Sequence, residues 1–439
     1  MRVKRALFSE QVALTEKQNR ILNIVFFTTL IGTFVSMLGI ILYYVYAFAS
    51  LSNGSDAFDW LLGIFSDFVY ITEVSLIDSP YLSLIDDGSS YPPLAIAVLF
   101  PFALICKGVY GQYINTDGIT IDEFTSKVVQ HPEFWISFVL FFTLCSLAVI
   151  ITVIKVYKLP PMPSLKVSII ILLCAPFVYA IMRGNTIYFA MIFLLLFLLL
   201  YEHKNAFWRE VGYLCLVLAG LIKIYPLFFG VYLLHKKKIW ASVRIAIYTV
   251  VLFFLSFFLY EGLEELPRFI NNLGGFMSTE HRLLEGNNLS ISAFIYKIFS
   301  LFVNITPDFP AFNIVNICVL SVVFLCSTVA AVYTRNSFSR AAIASAIVIL
   351  VPSISYFYIL IFALLPFMEF LRGYEDMDKR RRILYTVTFL FLFLTPTILA
   401  KNFIVHSLLI IIMLGVECAR VFKCEMLPNI RKKALVKNN

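Results

Sequence analysis

Residues 134–154 read FWISFVLFFTLCSLAVIITVI, twenty-one consecutive positions without a charge. As a helix this stretch rises about 31 Å, which matches the ~30 Å hydrocarbon core of a bilayer. A strand of a membrane barrel would alternate apolar and polar residues over ~10 positions, and this run does not alternate. Lipid offers the backbone no hydrogen-bond partners, so the stretch dictates a helix, which satisfies its own N–H and C=O groups.

Runs of the same kind recur at 24–46, 240–259 and 311–332. The chain of 439 residues is 60% hydrophobic and 14% charged, whereas a soluble domain carries about 25% charged residues. The fold class is therefore all-α: a polytopic transmembrane helical bundle of about 12 spans, counted as apolar runs of ~20 residues. Those spans are expected near 22–48, 92–111, 134–157, 164–182, 185–202, 210–235, 239–260, 311–334, 338–352, 354–371, 383–400 and 403–420. A basic N-terminus (1–21) and a basic tail (422–439) flank the membrane domain (22–421).

The formal net charge of +8 is no nucleic-acid signature, because the excess sits at the chain ends and in short loops. Arg2, Lys4, Arg5, Lys17 and Arg20 open the chain; Lys236, Lys237, Lys238 and Lys379, Arg380, Arg381, Arg382 interrupt it; Arg431, Lys432, Lys433 and Lys437 close it. The positive-inside rule puts all of them in the cytoplasm, with both termini, so the number of crossings is even. A first apolar run this long is a retained anchor rather than a cleaved signal. Six of the eight cysteines fall in apolar runs without metal-ligand spacing and read as small core residues. The Phe- and Ile-rich composition points to a bacterial plasma membrane.

Two outer loops, ~49–91 and ~261–310, exceed what a connection needs, and long loops tend to carry function. The first holds Asp56, Asp59, Asp67, Glu73, Asp78, Asp86 and Asp87, then Tyr91-Pro92-Pro93-Leu94. Residues 61–70 predict a short amphipathic helix on the membrane surface. A carboxylate here can accept a proton from a hydroxyl group; the plain alternative is a solvated acidic loop. The second loop offers Glu264, Glu265, His281, Arg282, Glu285, Asn287, Asn288 and Ser290, groups suited to sugar hydroxyls or simply to water.

Three breaks interrupt the apolar runs. At Arg183-Gly184-Asn185 a cation lies at membrane depth, where charge is costly and faces protein or a wet cavity. At Lys223-Ile224-Tyr225-Pro226 a lysine precedes a helix breaker. Lys and Arg together suit a phosphate, although either can snorkel to the surface. Whether 210–235 is one kinked span or a hairpin of two short helices decides which side Arg183 faces. At Pro352-Ser353-Ile354-Ser355-Tyr356-Phe357-Tyr358 hydroxyls and rings could line a sugar cavity or form a turn. No Gly-rich phosphate loop occurs, no cofactor is expected, and only Asp86-Asp87 offers a divalent cation a foothold.

The order of these pieces resembles the GT-C glycosyltransferases, most closely bacterial glycosyltransferase family 87. It comprises an acidic first loop ending in Tyr-Pro-Pro-Leu, Arg-Gly-Asn, Ala-Gly-Leu-Ile-Lys-Ile-Tyr-Pro, and a late Pro-x-x-Ser-Tyr. The Arg183-Gly184-Asn185 and Lys223-Ile224-Tyr225-Pro226 pair is also similar to the mannosyltransferase that adds the first mannose of GPI anchors. The resemblance covers roughly residues 20–370. It implies a polyprenyl-phosphate sugar donor, commonly mannose or another hexose, a glycan or glycolipid acceptor at the outer face, and inversion at the anomeric carbon. The essential carboxylate it places in the first outer loop matches Asp59, with Asp56 second. Arg183, Lys223 and Asn185 would hold the donor phosphate, and Tyr91, Tyr225, Asn288, Ser355, Tyr356 and Tyr358 would line the substrate cavity. The chain lacks the histidine that family members often carry in the late break, and has Asn185 where Gln is commoner. An O-antigen or capsule polymerase would favour arginine-rich outer loops; a transporter or flippase would favour an inverted repeat, and none is visible.

Overall fold

The computed structural model describes residues 13–49, 65–82, 88–113, 120–278, 288–302, 310–394 and 404–428, and every regular element among them is helical. Among the described residues five helices are long and apolar enough to cross a membrane: Glu16–Gly39, Pro132–Tyr157, Ile239–Leu259, Phe312–Tyr333 and Ile404–Met426. A sixth crossing arises if Pro161–Leu173 and Ala175–Met182, bent by 52° at Cys174, count as one. Ile187–Leu200 and Ser337–Leu350 are apolar but shorter.

The long helices show why they form. Along Pro132–Tyr157 the buried positions Phe134, Ser137, Phe141, Cys145, Val149 and Val153 recur every three or four residues. Ile136, Leu140, Leu144, Leu147 and Ile151 fall between them and are exposed. An apolar outward face of this kind suits lipid rather than water. Ser337–Leu350 is the opposite case: every residue from Phe338 to Leu350 is buried. It packs against Leu364–Arg372, Pro310–Tyr333 and Ile404–Arg420 as the central post of the C-terminal half.

The topology around the breaks is set by a helical hairpin, α1 (Ile187–Leu200) and α2 (Ala206–Ile222). Asn205 caps α2 by accepting the Phe207 N–H at 2.8 Å. Gly212 lets the pair close, since a Cβ there would lie 2.8 Å from that of Leu200. Lys223 then turns extended, and a 3₁₀ segment, Tyr225–Gly230, leads into Val231–His235. The 210–235 stretch is thus two antiparallel pieces meeting at 223–226. Arg183 and Lys223 share one end of the bundle. Tyr201 and Lys238 share the other, where Lys238 Nζ donates to the Tyr201 carbonyl at 3.3 Å.

The two long loops of the sequence, in their described parts, dock on each other. Ser79 Oγ donates to buried Glu265 Oε1 at 2.6 Å, Arg268 pairs with the same carboxylate, and Asn272 Nδ2 donates to the Tyr81 carbonyl at 3.0 Å. Val74, Tyr81, Ile96, Phe257 and Phe269 form an apolar cluster beneath these contacts. At the basic end, Glu417 is fully buried and accepts from Arg381 (2.8 Å), Arg420 (3.1 Å), Ser339 (2.5 Å) and Tyr385, tying three helices together.

Candidate active site

The site begins in the first outer loop. Residues Ser66–Val74 form a helix, α3, with Phe68, Val69, Ile71, Thr72, Glu73 and Val74 buried. This helix lies within the protein, whereas the sequence pattern suggested one resting on the membrane surface. The difference comes from the aromatic layer beneath it: Phe68 packs against Phe134, Phe138 and Phe141 at ring separations of 5.2–6.1 Å.

α3 docks on the Arg183 break. The Phe68 N–H donates to the Arg183 carbonyl at 2.9 Å. Gly184 sits at φ +64°, and a Cβ there would lie 2.2 Å from the Phe68 Cβ. Glycine is therefore required twice, for the left-handed backbone and for the close approach. This docking aims Asp67 at the break. Arg183 Nη2 donates to Asp67 Oδ1 at 2.5 Å and Nε to Oδ2 at 3.1 Å, a bidentate fork. Asn185 Nδ2, fully buried, adds a third donor to Oδ2 at 2.9 Å, while its Oδ1 accepts the Ile187 N–H at 3.0 Å. Burial alone would raise the Asp67 carboxyl, but the Arg183 charge and the hydrogen bonds from Arg183 and Asn185 outweigh it and hold the group below its ordinary range. Asp67 is thus an anion with its acceptor sites taken.

Lys223 arrives at the same place from the end of α2. Its Nζ lies 4.4 Å from the Tyr91 ring centroid and 5.9 Å from that of Tyr358. Among the described residues no carboxylate comes within ion-pair distance of it. The charge of Asp67 still reaches Lys223, Tyr91 and Tyr358, so the four groups form one electrostatic unit. Tyr179 stacks on Tyr358 at 6.5 Å and Tyr356 meets it at 5.9 Å. The Tyr225 hydroxyl is buried and has no hydrogen-bond partner among the described residues, which is costly unless another group supplies one.

Asn288 and Ser355 sit differently. Asn288 Nδ2 donates to the Ser353 carbonyl at 3.1 Å, its Oδ1 accepts from the Ser355 N–H at 3.1 Å, and the Leu289 N–H reaches the Ser355 carbonyl at 2.7 Å. Ser355 Oγ itself donates to the Ile349 carbonyl at 2.5 Å. Both side chains staple the second outer loop to the late break. Asp56 and Asp59 lie outside the described residues, as do Asp86 and Asp87.

The residue that sequence reasoning passed over is Asp67, one carboxylate among several in its loop. Its signal was indirect: an arginine at membrane depth needs a counter-ion, and only a helical carboxylate on an aromatic-rich segment can be buried against it.

The family model of glycosyltransferase family 87 matches residues 90–366, 277 of the 439 positions. The chain belongs to glycosyltransferase family 87. The matched region of this membrane glycosyltransferase contains Tyr91, Arg183, Asn185, Lys223, Tyr225, Asn288, Ser355, Tyr356 and Tyr358, while Asp67 lies ahead of it. No curated protein and no solved structure matches the chain.

Proposed function

We propose that this family 87 glycosyltransferase moves a hexose, mannose first among the candidates, from a polyprenyl-phosphate donor to a glycan or glycolipid acceptor on the extracytoplasmic face. The observation that carries the reading is the Lys223 ammonium, set against the Tyr91 and Tyr358 rings with no ion-pair partner among the described residues. A cation so placed calls for an anion, and a lipid-linked phosphate reaches it from the bilayer. Basic clusters at residues 236–238 and 379–382 orient that end of the bundle to the cytoplasm, which turns the Lys223 end outward. On this reading the chain makes about 12 crossings, as counted from the apolar runs of the sequence, with both termini inside a bacterial plasma membrane.

In the proposed reaction the acceptor oxygen bonds to the anomeric carbon as the bond from that carbon to the phosphate oxygen breaks, with inversion. Polyprenyl phosphate leaves with the electron pair, its charge taken up by Lys223 and Arg183. The hydroxyl proton passes to a carboxylate of the first outer loop, Asp59 first and Asp56 second. Asp67 is a poor base, because its lone pairs already accept three hydrogen bonds. Its work is to hold Arg183 and Asn185 in position. Aromatic faces of Tyr91, Tyr356 and Tyr358 and the Tyr225 hydroxyl line the sugar's place.

The test is transfer from a polyprenyl-phosphate hexose by purified enzyme in liposomes. Lys223→Gln is expected to weaken donor use, and Asp59→Asn to lower turnover about 10²–10⁴-fold at unchanged donor affinity. Full activity in both Asp59→Asn and Asp56→Asn, with Asp67→Asn inactive at normal affinity, would move the base to Asp67. Transport of the lipid-linked glycan without a new glycosidic bond would reject the enzyme reading of the site.

A further inference from the structure

A second polar cavity, of about 530 Å³, opens at the other end of the α1–α2 hairpin. It is separated from Asn185 by the fourteen residues of α1, about 21 Å of helix. Its charged lining sets four cations, Lys236, Arg335, Arg340 and Arg372, against two carboxylates, Glu369 and Asp376. Two of these cations are already paired: Lys236 with Glu202 at 3.1 Å and Arg372 with Glu369 at 3.5 Å. The guanidinium groups of Arg335 and Arg340 form no ion pair among the described residues, although the Arg335 backbone N–H donates to Glu425 Oε2 at 2.9 Å.

Arg340 is the unusual member. It stands in the first turn of the helix Ser337–Leu350, which is buried from Phe338 onward, and is 5% exposed. Its Nη2 donates to the Thr334 carbonyl at 2.5 Å, its guanidinium lies 5.4 Å from the Tyr232 ring centroid, and its Nε has no partner. A buried guanidinium with an unused donor and no counter-ion is expensive for a protein to keep. A cavity at its side resolves the cost if an anion enters.

We propose that this cavity is a binding site for a phosphate-bearing anion, held by Arg340 and Arg335 at the basic face of the bundle and separate from the Lys223 site. A phosphate fits the planar donor fork of arginine, and the volume lies in the range of small-ligand pockets, ~300–1,000 Å³. The same chemistry comes from an anionic phospholipid headgroup of the inner leaflet or from a soluble phosphate.

The test uses full-length protein in nanodiscs of neutral phosphatidylcholine. Phosphatidylglycerol or inorganic phosphate is added, and binding is read by native mass spectrometry and by the shift in thermal unfolding. Retained phosphatidylglycerol that phosphate displaces supports the site and identifies a lipid headgroup. A shift with inorganic phosphate, without retained phosphatidylglycerol, supports it with a soluble ligand. In either case R335Q, on an exposed residue, and R340Q are each expected to weaken binding roughly tenfold or more, while R340K, which keeps the charge, retains more of it than R340Q. Absence of binding to both probes, or binding that neither R335Q nor R340Q alters, overturns the proposal.

Discussion

Neutralising one member of the Asp67–Arg183 pair tests the centre of the site. Asp67→Asn preserves shape but leaves Arg183 facing a neutral amide. The Arg183 side chain is 30% exposed and that of Asp67 13%, so the pair is partly shielded and its loss approaches the buried regime. Breaking a buried pair from one side costs about 3–5 kcal/mol, because the remaining charge stays desolvated. The two bonds of the fork, at 2.5 and 3.1 Å, and the Asn185 bond at 2.9 Å argue against the lower, surface-like figure. Arg183→Gln should cost a similar amount, and the double variant Asp67→Asn/Arg183→Gln less than the sum, with a coupling of up to about 3 kcal/mol. Reversible unfolding in mixed detergent micelles measures all four proteins. The lowered carboxyl adds a pH signature. Because the folded-state value lies below the ordinary 3.8, the contribution of Asp67 is complete above that range and disappears as pH falls through the folded value. Asp67→Asn should remove that acid dependence. Additive single-site effects, or a wild-type advantage already lost between about pH 6 and 5, would refute the argument.

Further outcomes follow from other parts of the chain. Gly184→Ala should lose at least the ~1–2 kcal/mol of a left-handed backbone and more through the Phe68 contact. Pairing it with Phe68→Ala should restore only the steric part, as read from the folded fraction after purification. Glu417→Gln strands Arg381, while Arg420 keeps Glu425 at 2.8 Å, and should lower unfolding stability by about 3 kcal/mol; a loss too small to measure would mean that the network is solvated. Tyr225→Phe removes a hydroxyl that none of the described residues satisfies. Stability should be unchanged or higher, while transfer falls about tenfold if that hydroxyl serves the sugar; unchanged transfer would exclude it from the site.

The membrane bundle was legible because uninterrupted apolar runs such as 134–154 admit one backbone solution. The breaks at Arg183 and Lys223 were legible for the same reason, since a charge or a proline inside such a run is conspicuous. Their meeting was not. It depends on the α1–α2 hairpin returning the chain to its starting level, and 210–235 reads equally well as one kinked span. Asp67 was less legible still: 116 residues separate it from Arg183, and in sequence it resembles its acidic neighbours. What distinguishes it is the burial of α3, driven by Phe68 on an aromatic layer contributed by another helix. Span counting met a similar obstacle. After Arg340, the helix Ser337–Leu350 is apolar on every side but for Ser345, a pattern shared by helices among lipids and helices among other helices.

That same helix bears on how the protein is made. With fourteen residues, about 21 Å long, and Arg340 in its first turn, Ser337–Leu350 is a weak candidate for insertion on its own. It has no side to offer lipid once assembled. One of the walls that enclose it, Ile404–Arg420, is synthesised more than fifty residues later. The segment must therefore be held, by the translocation machinery or by earlier helices, until the end of the chain has emerged. Truncations between the two helices should accumulate as degradation-prone intermediates even though every earlier span is present.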